Sequence, residues 1–267
     1  MTFETITYEV SERVATITFD RPDQLNALSP AMVEELRQAY DAAEQDDDVW
    51  ILLVTGNGRA FCAGADVGDI SPDGRVIYDD PYLTTYPQWE APQEATPPFR
   101  TMTKPVLTAV NGLCCGAGLD LVTTSDISIA SDRAEFFDPH VSIGLVSGRE
   151  MVRLARVLPL NVTMRLALMG KHERLSAQRV YELGLITEVV EHDRLLSRAH
   201  EIAAIVNRNA PLAVRGTRLA IRKGLDLPLH EAEILAEAYR ERVVRTDDAQ
   251  EGPKAFMEKR APEWKCR

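Results

Sequence analysis

The chain has 267 residues, 45% hydrophobic and 27% charged, a balance that supports a sizeable buried core and excludes a disordered chain. Its 41 acidic side chains outnumber 30 basic ones, giving a formal charge of −11, which argues against nucleic acid or an anionic membrane as a partner because both are bound through Lys and Arg. The four cysteines lack metal-ligand spacing, the N-terminus lacks the basic-then-apolar pattern of a secretory leader, and no apolar run reaches the roughly 18 residues of a membrane span, so a cytoplasmic protein with reduced thiols is expected.

Alternating runs at Thr5–Val10 and Val14–Phe19 predict a β-hairpin. Ser29 is a suitable cap for a helix beginning at Pro30, and Met32, Val33, Leu36 and Tyr40 keep helical spacing as far as the acidic run Asp46, Asp47 and Asp48. Val49–Val54 and Val106–Val110 are continuous apolar runs that stop at glycine-containing turns, the pattern of strands buried on both faces. Between them, Asp69–Thr103 is rich in Pro, Asp, Tyr and Trp and has no periodicity. It is either a functional flap or a mobile insertion.

After residue 150 the pattern is helical, at Met151–Leu158, Val162–Met169, Ala177–Leu183, Leu195–Val206, Ala213–Lys223 and Ala232–Val244. The expected class is α/β, with a core over 1–195 and a helical C-terminal region over 196–267.

Gly56-Asn57-Gly58 opens like a dinucleotide fingerprint, but Phe61 stands where the last glycine belongs. P-loop, G-x-S-x-G and H-E-x-x-H patterns are absent as well, which removes the nucleotide, serine-esterase and zinc-protease readings. What remains is a pair of small-residue turns after buried strands, around Ala63, Gly64, Ala65 and Asp66 and around Leu113, Gly116 and Ala117. Such turns leave backbone N–H groups approachable, which suits a developing oxyanion. They also simply permit close helix–strand packing.

The stretch LTAVNGLCCGAGLDLVTTSDI at 107–127 resembles the signature of the crotonase (enoyl-CoA hydratase/isomerase) superfamily. RPDQLNAL at 21–28, TGNGRAFCAGAD at 55–66, LSA at 175–177, ELGLI at 182–186 and EGPKAFMEKR at 251–260 extend the resemblance in order along nearly the whole chain. It implies a spiral of ββα turns with C-terminal helices that assemble a homotrimer or hexamer. It also implies an acyl-CoA substrate, with no cofactor or metal beyond the coenzyme A that the substrate carries. Carried over by motif, the oxyanion donors are the N–H groups of Ala65 and Ala117. Ala63, Gly64, Asp66, Leu113, Gly116 and the turn of Leu25, Asn26 and Ala27 would meet the coenzyme, and Phe256 and Lys259 match tail positions that reach a CoA, in some members that of a neighbouring subunit.

Hydratases of this family carry two glutamates, one three residues after the second oxyanion donor and one following a Pro; here these positions hold Asp120 and His140. Asp is one methylene shorter than Glu, which moves a water it holds by about 1.5 Å. His140 titrates near neutrality and can serve as acid and base in turn. An Asp120–His140 dyad, in which the carboxylate orients the imidazole or a water, is the expected acid/base pair. Glu150 is a spare carboxylate near the same loop, and His172, His192, His200 and His230 are expected at the surface. The reading is an acyl-CoA enzyme of hydratase/isomerase type. A CoA-thioester or C–C bond hydrolase using water activated by His140, and a non-catalytic acyl-CoA binder, are the alternatives. The tyrosines Tyr78, Tyr82 and Tyr86 and Trp89 would contact a bulky acyl group if the 69–103 segment is a flap.

Overall fold

The computed structural model of the chain describes residues 2–66 and 102–267. The expectations placed on the 69–103 insertion fall, apart from Met102 and Thr103, outside the described residues. The hairpin forms as β1 (Ile6–Ser11) and β2 (Val14–Phe19), followed by α1 (Pro30–Gln45), β3 (Ile51–Gly56), β4 (Ala60–Cys62), β5 (Val106–Val110) and β6 (Leu113–Cys115). The chain continues through α2 (Ala117–Thr124), β7 (Ile127–Ser131), β8 (Glu135–Phe137), α3 (Arg149–Leu154), α4 (Leu160–Met169), β9 (Leu175–Ser176), α5 (Ala177–Glu182) and β10 (Glu188–Val190). Four more helices close the described chain: α6 (Leu195–Val206), α7 (Pro211–Gly224), α8 (Leu229–Val243) and α9 (Asp247–Glu258).

From β3 to β8 successive strands alternate between two sheets. One is six-stranded, in the order β1-β2-β3-β5-β7-β10, and the other four-stranded, in the order β4-β6-β8-β9. Pairing is parallel except for the β1–β2 hairpin and the β8–β9 edge. The segment β5-β6-α2 is one complete ββα turn of the spiral, and the architecture is the expected α/β class.

The continuous apolar strands are explained by cover on both faces. On β3, Ile51 and Leu53 face one core cluster with Leu107, Ala109, Leu195, Ala199 and Ala203, while Leu52 and Val54 face the larger one. The spacing of Leu195, Ala199 and Ala203 puts small side chains on one stripe of α6 and lets that helix lie close on the sheet. The helical region expected from 196 therefore shares the core through its first helix.

Helix α1 starts as expected. Pro30 takes the first position and Ser29 Oγ accepts from the Met32 N–H at 3.2 Å. Its C-terminus is closed by a buried lysine, Lys104, whose Nζ donates to the carbonyls of Ala43 (2.6 Å) and Asp46 (2.5 Å). Helix α7 is held by Arg218 and Arg222, one turn apart, which grip Asp126 at 2.6 and 2.9 Å. Helix α8 packs on α7 and buries no residue of its own. No helix among the described residues is long and apolar enough to cross a membrane.

Candidate active site

Three neighbouring parallel strands of the smaller sheet end at the same edge, and the residue types singled out in the sequence follow directly from those ends. β4 runs into Ala63, Gly64 and Ala65; β6 into Gly116 and Ala117; β8 into Asp138, Pro139 and His140. The carboxyl edge of parallel strands is where backbone donors and helix starts converge, and it is the usual place for a ligand.

The first turn is fixed by a ladder to the 25–28 segment. The Ala63 N–H donates to Leu25 O at 3.1 Å, the Leu28 N–H to Gly64 O at 2.8 Å and the Asp66 N–H to Leu28 O at 3.0 Å. This places Ala65 in a bridge with Leu28 that uses only its neighbours' polar groups, so its own N–H turns to the opposite edge. The Ala117 N–H opens α2 and has no acceptor within the helix. Among the described residues neither N–H has a hydrogen-bond partner.

Both turns need left-handed backbone, at Gly64 (φ +89°) and Gly116 (φ +52°), and glycine supplies it without strain. The turns lie against each other: a Cβ built on Gly116 would sit 3.4 Å from Gly64 Cα and 3.5 Å from His140 Cε1. One site thus brings together the Gly64–Ala65 turn, the Gly116–Ala117 turn and the imidazole.

The turn of Leu25, Asn26 and Ala27 is braced from within. Leu25 and Asn26 adopt φ of +54° and +55°, and the fully buried Asn26 side chain donates to Asn57 O (2.9 Å) and Ala60 O (2.8 Å) while accepting from the Arg21 N–H (2.8 Å). Its amide is consumed by the fold, and the N–H groups of Leu25, Asn26 and Ala27 are taken by Pro22 O, Arg21 O and Gln24 O. Asp66 pairs with Arg21 at 3.0 Å and ties the first donor turn to the same segment. Leu113 is half-buried in β6, with its N–H on Arg59 O at 3.2 Å. Phe256 is 81% exposed on α9, and Lys259 caps the C-terminus of that helix with φ +55°.

The expected dyad of Asp120 with His140 is corrected by the geometry. Asp120 is buried in the first turn of α2, and its Oδ1 is taken by Arg153 of α3, which packs on α2. A buried carboxylate needs such a partner, and the guanidinium fills that need before the imidazole can. The carboxylate on His140 is instead Asp138, wholly buried, with Oδ1 2.9 Å and Oδ2 3.1 Å from Nδ1. Asp138 also accepts from the His140 backbone N–H (2.9 Å) and from Ser147 Oγ (2.8 Å).

The hydrogen bond to Asp138 raises the pKa of His140 above its ordinary 6.5 against the opposing effect of burial, with the charges of Asp138 and Glu150 adding to the rise. Burial pushes the Asp138 carboxyl up, but the hydrogen bonds from His140 and Ser147 outweigh it and the net shift is downward. Asp138, Ser147 and Arg153 are the site residues that sequence reasoning missed. Only the first had a local signal, since an Asp two residues before a His is placed to accept that residue's backbone N–H.

The family model described as enoyl-CoA hydratase/isomerase matches residues 9–267. The chain belongs to the enoyl-CoA hydratase/isomerase family. An enoyl-CoA hydratase of Mycobacterium tuberculosis, EchA19, is 34% identical over 94% of this chain and 92% of its own length, and a mevalonyl-coenzyme A hydratase of Aspergillus fumigatus is 33% identical over 94% and 91%. The crystal structure of an enoyl-CoA hydratase/isomerase from Mycobacterium paratuberculosis superposes with a TM-score of 0.93 at 73% identity, covering all of both chains. This family member is an acyl-CoA enzyme of the hydratase/isomerase type with a crotonase fold.

Proposed function

We propose that this enzyme adds water across the double bond of a 2-enoyl-CoA, with Ala65 and Ala117 as oxyanion donors and His140 as the acid/base group. The observation that carries this reading is the convergence of two backbone N–H groups, unpartnered among the described residues, and one imidazole at the edge formed by β4, β6 and β8. In the forward step His140 Nε2 takes a proton from water as the water oxygen bonds to Cβ. The π electrons move towards Cα and the thioester oxygen, whose charge the Ala65 and Ala117 N–H groups hold as an enolate. His140 then returns the proton to Cα and is regenerated, so that one water has been added and the thioester is intact. Asp120, whose Oδ1 is anchored by Arg153, is assigned the role of orienting the water.

Backbone from Ala63 to Asp66, the Leu25–Ala27 turn, Leu113 and Gly116 line the path of the coenzyme, and Phe256 and Lys259 contact it from the tail. The reaction takes place in the cytoplasm and uses no cofactor beyond that CoA. Incubation with a simple straight-chain 2-enoyl-CoA is expected to yield a product heavier by one water, still joined to CoA. Release of free thiol would assign a thioester hydrolase instead, and tight binding with no turnover of any acyl-CoA would assign a binder.

The enzyme works as a trimer or hexamer. Ile221, Leu225, Leu229 and Ile234 leave large apolar side chains exposed on α7, α8 and their connection, where a neighbouring copy would cover them. Light scattering at micromolar concentration is expected to give three or six times the chain mass of 29.7 kDa; the mass of a single chain would contradict the assembly.

A further inference from the structure

We propose that Asp138, steadied by Ser147, is the positioning residue of the reaction: it fixes the proton of His140 on Nδ1 and leaves Nε2 as the nitrogen that exchanges protons with water and substrate. This inference rests on the reading of His140 as the acid/base group and adds what sets its tautomer and its aim.

An ionised carboxylate out of water is costly unless its lone pairs are filled. Asp138 is 0% exposed, and it accepts from His140 Nδ1, from the His140 backbone N–H and from Ser147 Oγ. All three donors belong to the one loop that carries the imidazole. A single carboxylate therefore clamps His140 at both backbone and ring, while Ser147 closes the far end of the loop onto the same group.

An ionised carboxylate can only accept hydrogen bonds, so Nδ1 must carry hydrogen in both protonation states of the ring. The labile proton then resides on Nε2. The ring's Cε1, which joins the two nitrogens, lies beside Gly116, the residue before the Ala117 donor. The clamp thus holds the imidazole against the edge where the thioester oxygen would be bound. The charged groups acting on the ring are Asp138 from its own loop and Glu150 from α3, and both favour the cation. Asp138 is the one with a hydrogen bond, so its removal dominates.

Three readouts test the role. In the unliganded enzyme, carbon-13 and nitrogen-15 spectra of labelled histidine are expected to show His140 as the Nδ1–H tautomer when neutral, titrating above 6.5. Asp138→Asn keeps the shape and an acceptor for the backbone N–H. It is expected to move that titration downward, to lower kcat by about 10- to 100-fold and to leave KM near its native value. Ser147→Ala is expected to shift both in the same direction by less. An Nε2–H tautomer in the native enzyme, or a folded Asp138→Asn variant whose His140 titration is unmoved, overturns the proposal. Should Asp138→Asn fail to fold, the native spectrum and Ser147→Ala still decide. The spectra do not depend on turnover, so an enzyme inactive on every 2-enoyl-CoA but showing the Nδ1–H tautomer would refute the proposed reaction and leave the clamp standing.

Discussion

Alanine at position 140 is expected to lower kcat by roughly 10²- to 10⁴-fold while acyl-CoA still binds, the loss that accompanies removal of a general acid/base group. The substitution leaves the proposed oxyanion donors untouched, because the N–H groups of Ala65 and Ala117 are backbone atoms on different strand ends. The pH profile of the native enzyme follows from the same residue. In the proposed mechanism water activation needs the neutral ring, and the hydrogen bond that His140 Nδ1 donates to Asp138 raises the pKa above 6.5. Hydration is therefore expected to fall as the pH drops through an ionisation lying above the ordinary histidine value of 6.5, and the acid limb should vanish in the variant. Steady-state kinetics over pH together with calorimetric binding of acyl-CoA check both parts. Full turnover by His140→Ala would move the chemistry to another group.

The second large effect belongs to a backbone atom. Proline at 117 removes the N–H of the first residue of α2, a position where proline is otherwise well tolerated. The expected cost is on the order of 10²–10³ in kcat, as for loss of one donor from an oxyanion hole. Ala117→Ser at the same place keeps the N–H and serves as the control for side-chain volume. Circular dichroism and the assembly mass establish that the proline variant has folded; near-native activity in that folded protein would remove Ala117 from the oxyanion hole.

Legibility in the sequence followed length and cover. Val106–Val110 can be read to the residue because both faces of β5 are buried, and α1 because Ser29, Pro30 and an amphipathic stripe agree. β4, β6 and β8 are three residues each, too short to show a period, and the first two are embedded in glycine-containing turns. Yet it is their shared edge that assembles the site. α9 is masked in sequence by Pro253 inside it. The resemblance named the positions of Asp120 and His140, but their partners depend on packing. Arg153 reaches Asp120 across 33 residues because α3 lies on α2, and no local pattern announces that. Asp138 lies two residues from His140 in the sequence, but nothing local says that it, and not Asp120, takes the imidazole.

That both proposed oxyanion donors are main-chain N–H groups has an evolutionary consequence. Side-chain replacement at Ala65 or Ala117 changes volume and leaves the donor in place; among the encoded residues only proline deletes it. On this proposal thioester polarisation is inherited with the fold, while proton handling rests on separately replaceable side chains. A lineage can exchange a carboxylate for an imidazole at position 140, or shorten the acid at 120, without passing through an ancestor that has lost its grip on the acyl group. Divergence in this family can proceed by editing one half of the catalyst while selection continues to act on the other.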